Sequence, residues 1–161
     1  MKLSNVPQLV LYGPKYIRTL FFPLQLLEER FSATYPFPFD FFYLPIDFKN
    51  KCNVGYAFIN MTTHLAIPAL VEGFHGKRWP KFNSEKVCQI AYGRIQGKMA
   101  LVQHFQNSSL LHEDKRCRPV LFNPNGELEP FPVGPAALAT FSMNLQEEKM
   151  KTQTGRSDTV E

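Results

Sequence analysis

The feature that most constrains the fold is the segment 39–61, FDFFYLPIDFKNKCNVGYAFINM, in which aromatic and aliphatic residues alternate. Successive side chains of a β-strand point to opposite faces of the sheet, so such alternation indicates strands. The pattern predicts two strands joined by the polar loop 47–53, which carries Lys49 and Lys51.

The second of these strands has two chemically different faces. Tyr56 and Phe58 share one face with Asn60, whereas the alternate positions from Ala57 to Met61 are aliphatic and suit a core. Two neighbouring rings on the non-core face suit unpaired nucleic-acid bases, and each stack contributes about 1–3 kcal/mol. The alternative is a sandwich or barrel in which both faces of an aromatic strand are buried.

The preceding strand extends this aromatic face. If Phe42 and Leu44 pack inward, Phe41 and Tyr43 face outward beside the rings of the second strand. The outward face is then predicted to carry four aromatic side chains.

The rest of the chain supplies partners for these strands. We expect a first strand at 8–12, a helix beginning near Pro23, a second helix over 67–74, and a fourth strand over 87–92 with Gln89 outward. A further helix is predicted at 97–107. The fold class is therefore α+β, ferredoxin-like, with a four-stranded antiparallel sheet, two helices on one face and an extra C-terminal helix. Residues 8–107 form the predicted domain, and the proline-rich and polar residues 108–161 are predicted to be mostly disordered.

Charge is unevenly distributed along the chain. The formal net charge is +4, but residues 49–118 hold eleven basic and four acidic residues. A basic centre suits a polyanionic partner, although an ordinary solvated surface explains an excess of this size equally well.

The sequence gives little support for catalysis, metal binding or a membrane span. Three cysteines lie far apart, and the four histidines show no metal-ligand spacing. No glycine-rich phosphate loop, nucleophile elbow or paired carboxylates occur, so we expect no enzyme activity, no cofactor and no metal. No apolar run approaches a membrane span. The odd cysteine count, without a signal sequence, fits an intracellular protein of the nucleus or cytoplasm.

The residues at 54–61 are close to the signature of the third strand of an RNA recognition motif. More specifically, DFFYLPIDFKNKCNVGYAFIN (40–60), FNSEKVCQIA (82–91), RIQG (94–97) and HFQNSSLLHEDKRCRP (104–119) resemble the C-terminal RNA recognition motif of the plant Mei-two-like proteins. These are relatives of a fission-yeast regulator of meiosis. The resemblance runs from about residue 39 to 122.

The resemblance implies single-stranded RNA binding and a role in meiosis and plant development. It implies stacking at Tyr56 and Phe58 and basic loop contacts at Lys49 and Lys51. The chain departs from the family at its start, LVLYGPKYIRT (9–19), where the asparagine of the family's turn is lost, and at Val54, where the general motif has a basic residue. The two upstream domains of the family are absent, so the start looks like that of a truncated or alternatively spliced product.

The leading hypothesis is a monomeric protein that binds single-stranded RNA, with Asn60 and Gln89 at base edges. The four outward aromatics stack bases, and phosphate is attracted by Lys49, Lys51, Lys77, Arg78 and Lys86. The alternative is a protein–protein interaction adaptor whose sheet is masked by a partner or by its own helix, through Met99, Leu101 and Phe105.

Overall fold

An antiparallel sheet forms the centre of the computed structural model, which describes residues 8–12, 22–33, 37–79 and 85–154. The strands are β1 (Gln8–Tyr12), β2 (Phe39–Tyr43), β3 (Ile46–Asp47), β4 (Cys52–Asn53), β5 (Tyr56–Met61), β6 (Gln89–Tyr92), β7 (Val120–Phe122) and β8 (Leu128–Glu129). The helices are α1 (Phe22–Phe31), α2 (Ile67–Phe74), α3 (Lys98–Gln106) and α4 (Pro135–Thr154). Six strands pair in the order β6-β1-β5-β2-β7-β8, and β3 and β4 form a separate small hairpin.

The first strand forms where the sequence predicts it and occupies a central position. β1 pairs antiparallel with β5, where Leu9 lies opposite Ile59 and Val10 opposite Phe58. It also pairs with β6, where Val10 lies opposite Ala91. β1 therefore joins β5 to β6, and the sheet is continuous despite the departure of this segment from the family pattern.

One face of the sheet packs against α1 and α2. Leu27 of α1 and Leu70 of α2 are fully buried in one cluster with Ile59 of β5. Burial of such a side chain contributes about 1.5–3 kcal/mol. Pro68 lies in the first turn of α2, where a missing N–H costs no helical hydrogen bond. The expected α+β, ferredoxin-like arrangement with two helices on one face is confirmed.

The sheet continues beyond the predicted four strands. β7 pairs with β2, with Leu121 opposite Phe41, and β8 pairs with β7. Leu121 and Phe122 are fully buried. Pro119 and Pro124 flank β7 and leave its ladder intact, as prolines at strand ends can.

The predicted tail therefore differs from the structure. The prediction that residues 108–161 are mostly disordered is wrong for 108–131, because Leu110, Leu111 and β7 are buried there. The prediction relied on the proline content of this segment. The apolar run that pairs with β2 is only three residues long and gives a weak strand signal by comparison.

The chain divides into two compact units, one ending at Phe131 and one beginning at Pro132. The second unit contains α4, a 20-residue helix within the predicted tail. Alanine, leucine, glutamine, glutamate, lysine and methionine, all strong helix formers, make up most of its sequence. None of the helices in the described ranges is long and apolar enough to cross a membrane.

Candidate nucleic-acid interface

The face of the sheet that points away from α1 and α2, here called the outer face, carries the aromatic residues. Phe42, Leu44 and Ile59 belong to the core cluster on the helix side, as predicted from the alternation. Their strand neighbours Phe41 and Tyr43 therefore point to the outer face.

One half of the outer face is accessible. Tyr56 is 36% exposed, and its ring meets that of Phe58 edge to face at 5.5 Å. Gln89 and Ala91 of the edge strand β6 are also exposed. Adjacent rings with accessible surface can stack unpaired bases, and the amide of Gln89 can donate and accept hydrogen bonds.

The other half is covered by α3, so the predicted open face is open only in part. The Phe105 ring lies 5.9 Å from Phe41 at an interplanar angle of 23° and 4.8 Å from Tyr43 at 66°. Phe41 is 0% exposed and Tyr43 9% exposed. The rings of Tyr43 and Phe58 remain nearly parallel, with centroids 6.3 Å apart.

Burial of Tyr43 has an electrostatic consequence. Loss of water around the hydroxyl, and to a smaller extent the neighbouring Tyr56, raise the pKa of Tyr43 to about 12. The hydroxyl therefore stays neutral at physiological pH. Neither Phe41 nor Tyr43 presents an open ring face for a base in this arrangement.

Asn60 is buried and contacts a neighbour that the sequence did not indicate. Its Nδ2 donates a 2.8 Å hydrogen bond to Oδ1 of Asp40, while its own Oδ1 has no hydrogen-bond partner in the described part of the chain. Burial raises the pKa of Asp40 to about 6, against the lowering effects of the Asn60 hydrogen bond and of Lys98. The structure thus places Asn60 in an internal polar pair, away from the surface where a base edge would be read.

A buried lysine holds the start of α3 against the added strands. Nζ of Lys98, which is 7% exposed, donates to Oε2 of Glu129 at 2.7 Å and to the carbonyl oxygen of Phe122 at 2.8 Å. A buried ammonium needs such partners, because an unpaired buried charge is costly. The helix that covers Phe41 is therefore attached to β7 and β8.

The predicted phosphate contacts Lys49 and Lys51 are both exposed in the turn between β3 and β4. Oδ1 of Asp47 accepts hydrogen bonds from the backbone N–H groups of Lys49 and Asn50, both at 3.1 Å. Lys51 adopts a left-handed backbone conformation, with φ of 54°. This ordered turn leads into β5, at whose first residue Tyr56 lies.

The other predicted basic contacts lie elsewhere. Lys77, Arg78 and Lys86 are exposed, but Lys77 and Arg78 line a cavity with Arg30 of α1 instead of joining the outer face. Trp79 is buried, and its ring centroid lies 6.1 Å from that of Phe74. Phe82 lies outside the described residues. Within those residues, no cluster of three or more histidine, cysteine or acidic side chains could hold a metal.

Comparison with known proteins identifies the kind of domain. Residues 14–106 match the family described as RNA recognition motif 2. The chain belongs to this family. It is 60% identical over 137 residues to Protein MEI2-like 2 of Oryza sativa subsp. japonica, covering 83% of the chain and 15% of that relative. It is 61% identical over 138 residues to Protein MEI2-like 4 of Arabidopsis thaliana, covering 83% of the chain and 14% of that relative.

The expected resemblance to the plant MEI2-like proteins is thereby confirmed, and membership of the RNA recognition motif 2 family supports RNA binding in general. Proteins of this kind are non-enzymatic. The chain spans about 15% of the length of the relative Protein MEI2-like 2.

The attachment of α3 to the added strands was not predicted from the sequence. The helix pattern at 97–107 indicated that Phe105 could reach the sheet, but not that α3 would be held there by Lys98. The partner Glu129 is 31 residues away, and local periodicity carries no information about contacts at that separation. The only available signal was a lysine in an otherwise apolar first turn, KMAL.

Proposed function

We propose that this domain binds single-stranded RNA through the accessible half of its outer face. Bases stack on Tyr56 and Phe58, and Gln89 contacts a base edge. The observation that carries the proposal is the pair of adjacent rings, 5.5 Å apart and partly exposed, in a domain of the RNA recognition motif 2 family.

The proposed surface is smaller than the sequence suggested. With Phe41 and Tyr43 beneath Phe105, two of the four aromatics remain available, so about two bases stack, contributing together about 2–6 kcal/mol. Lys49 and Lys51, exposed in the turn between β3 and β4, attract the phosphates. A site of this size favours modest sequence selectivity, because stacking tolerates every base.

The test is a fluorescence-anisotropy titration of the full chain with a random single-stranded RNA pool. The double substitution Tyr56→Ala, Phe58→Ala should weaken binding more than tenfold, since it removes both stacks. The matched control is Tyr92→Ala, which removes a ring of β6 that is 74% exposed and lies opposite Leu9, on the helix side of the sheet.

Equal affinity of the double variant and the parent, with an unchanged circular-dichroism spectrum, contradicts the proposal. Single-stranded DNA and duplex RNA serve as comparison ligands, and the proposal expects weaker binding of the duplex because its bases are already stacked.

The cellular part of the proposal concerns location, oligomeric state and biological role. We extend the proposal to an intracellular monomer, nuclear or cytoplasmic, and to a role in meiosis or plant development, of which only the role is motivated by the likeness to MEI2-like proteins. Light scattering of the purified chain tests the monomeric state, and imaging of a fluorescent fusion in plant cells tests the location.

One observation favours a second candidate, a protein-interaction adaptor with a masked sheet. That observation is the cover of Phe41 and Tyr43 by Phe105. An adaptor predicts that the well-folded chain binds no RNA at any salt concentration, whereas the proposed RNA binder predicts saturable and salt-sensitive binding.

A further inference from the structure

The helix side of the domain contains a cavity that the proposed RNA interface does not use. Its volume is about 590 Å³, within the range of about 300–1,000 Å³ typical of ligand sites. The described lining residues come from α1, from α2 and from the segments that lead into and out of the connection to β6. They are Glu29, Arg30, Gly73, Phe74, Lys77, Arg78, Trp79 and Cys88.

The inner wall of the cavity is apolar and uncharged. The rings of Phe74 and Trp79 lie 6.1 Å apart, and Trp79 is 6% exposed. Nε1 of Trp79 is buried and has no acceptor in the described part of the chain. Because this nitrogen has almost no accessible surface, it makes no contact with a ligand in the cavity. Burial raises the pKa of the Cys88 thiol to about 12, so this wall stays neutral.

The mouth of the cavity is cationic. Three basic side chains, Arg30, Lys77 and Arg78, line it against the single carboxylate of Glu29. This excess of positive charge favours an anionic ligand, and arginine can bind a carboxylate through two parallel hydrogen bonds.

Backbone groups hold the Arg30 side chain and the main chain at Lys77 in place. Nε of Arg30 donates to the carbonyl oxygen of Ala69 at 2.8 Å. The guanidinium lies so close to Gly73 that a Cβ there would be 2.6 Å from Nε. The N–H of Cys88 donates to the carbonyl oxygen of Lys77 at 2.7 Å, which joins the basic segment to the connection into β6. Preorganised groups lose less entropy when a ligand binds.

We propose that this cavity is a docking site for an acidic peptide segment of a partner protein. An apolar side chain of the peptide packs against the edges of Phe74 and Trp79, and its carboxylates accept hydrogen bonds from Arg30, Lys77 and Arg78 at the mouth. This site is independent of the proposed RNA binding.

The observations favour a peptide over RNA. A base needs an open ring face, and both rings of the cavity are buried. A phosphate would pair with the cations but leave the apolar wall unfilled. The cavity also lies with α1 and α2, on the side of the sheet opposite Tyr56 and Phe58.

The chain contains one tryptophan, so its indole N–H resonance reports on this cavity alone. We would titrate the ¹⁵N-labelled full chain with a capped hexapeptide in which glutamate and leucine alternate. The matched peptide has glutamine in place of glutamate. The indole resonance of Trp79 should shift saturably with the acidic peptide and not with the amide peptide.

Charge removal at the mouth provides the second measurement. Lys77→Ala with Arg78→Ala should weaken the acidic peptide about fivefold, since each exposed ion pair contributes about 0.2–1 kcal/mol. The control pair, Lys49→Ala with Lys51→Ala, removes the same charge from the loop between β3 and β4 and should change the affinity less than about twofold.

Three results would overturn the inference. The first is an indole resonance that does not move at millimolar acidic peptide, or that moves equally with both peptides. The second is an equal loss of affinity in the two double variants, which would mean general charge attraction. The third is a saturable indole shift with single-stranded oligouridine and none with the acidic peptide, which would assign the cavity to nucleic acid.

Discussion

Replacing Phe105 by alanine tests whether the covered half of the outer face is a latent part of the RNA interface. The Phe105 ring makes contacts at 5.9 Å with Phe41 and at 4.8 Å with Tyr43. Aromatic pairs contribute about 0.5–1.5 kcal/mol each beyond the burial of their surface, so Phe105→Ala should lower the free energy of unfolding by at least about 1–3 kcal/mol. Urea unfolding followed by circular dichroism measures this change.

The same substitution should strengthen RNA binding. Removal of the ring uncovers Tyr43, which already lies nearly parallel to Phe58. One further stack at the lower end of the range contributes about 1 kcal/mol, equivalent to about a fivefold gain in affinity. The anisotropy titration with single-stranded RNA measures it directly.

Two controls separate uncovering from instability. Leu101→Ala removes a fully buried side chain of α3 and should cost about 2–5 kcal/mol, yet it keeps the Phe105 ring. Gln103→Ala changes an exposed position of the same helix. Only Phe105→Ala should gain affinity. A folded Phe105→Ala variant with the affinity of the parent refutes the reasoning, because it means that Tyr43 does not stack bases when uncovered.

Three further measurements test the electrostatics. Glu129→Gln removes the anionic partner of Lys98. Because Glu129 is partly exposed, the substitution should lower the free energy of unfolding in urea by only about 1–2 kcal/mol. An unchanged unfolding midpoint argues against a role for this pair. The pKa of Asp40 is raised from 3.8 to about 6, so its contribution to stability is fully present below about pH 4 and is lost as pH rises through about 6. This loss amounts to about 3 kcal/mol. The drop in the free energy of unfolding between pH 4 and pH 7 should therefore be smaller in Asp40→Asn than in the parent. An equal drop in the two proteins would mean that the Asp40 carboxyl is not buried. Lys49→Ala with Lys51→Ala should reduce the slope of log affinity against log salt by about 1.4, and an unaltered slope would place the phosphates elsewhere.

The sequence alone determined the local secondary structure and the face of the sheet to which each strand residue points. Alternation at 54–61 correctly assigned Ile59 to the core and Tyr56 to the outer face, because side-chain direction in a strand depends only on position along that strand. The first strand was predicted at 8–12, where β1 forms. The helix α2 was predicted at the residues whose apolar side chains recur with helical spacing.

Only the tertiary structure decided how much of that outer face is accessible. Whether Phe41 meets solvent or the Phe105 ring depends on where α3 lies, and α3 is held by Lys98 through Glu129, 31 residues along the chain. The addition of β7 to β2 depends likewise on a pairing between strands distant in sequence. Periodicity describes one element at a time, whereas burial is a property of what packs on it. The sequence therefore determined which residues face outward, and the packing of α3 decided which of them can contact a ligand.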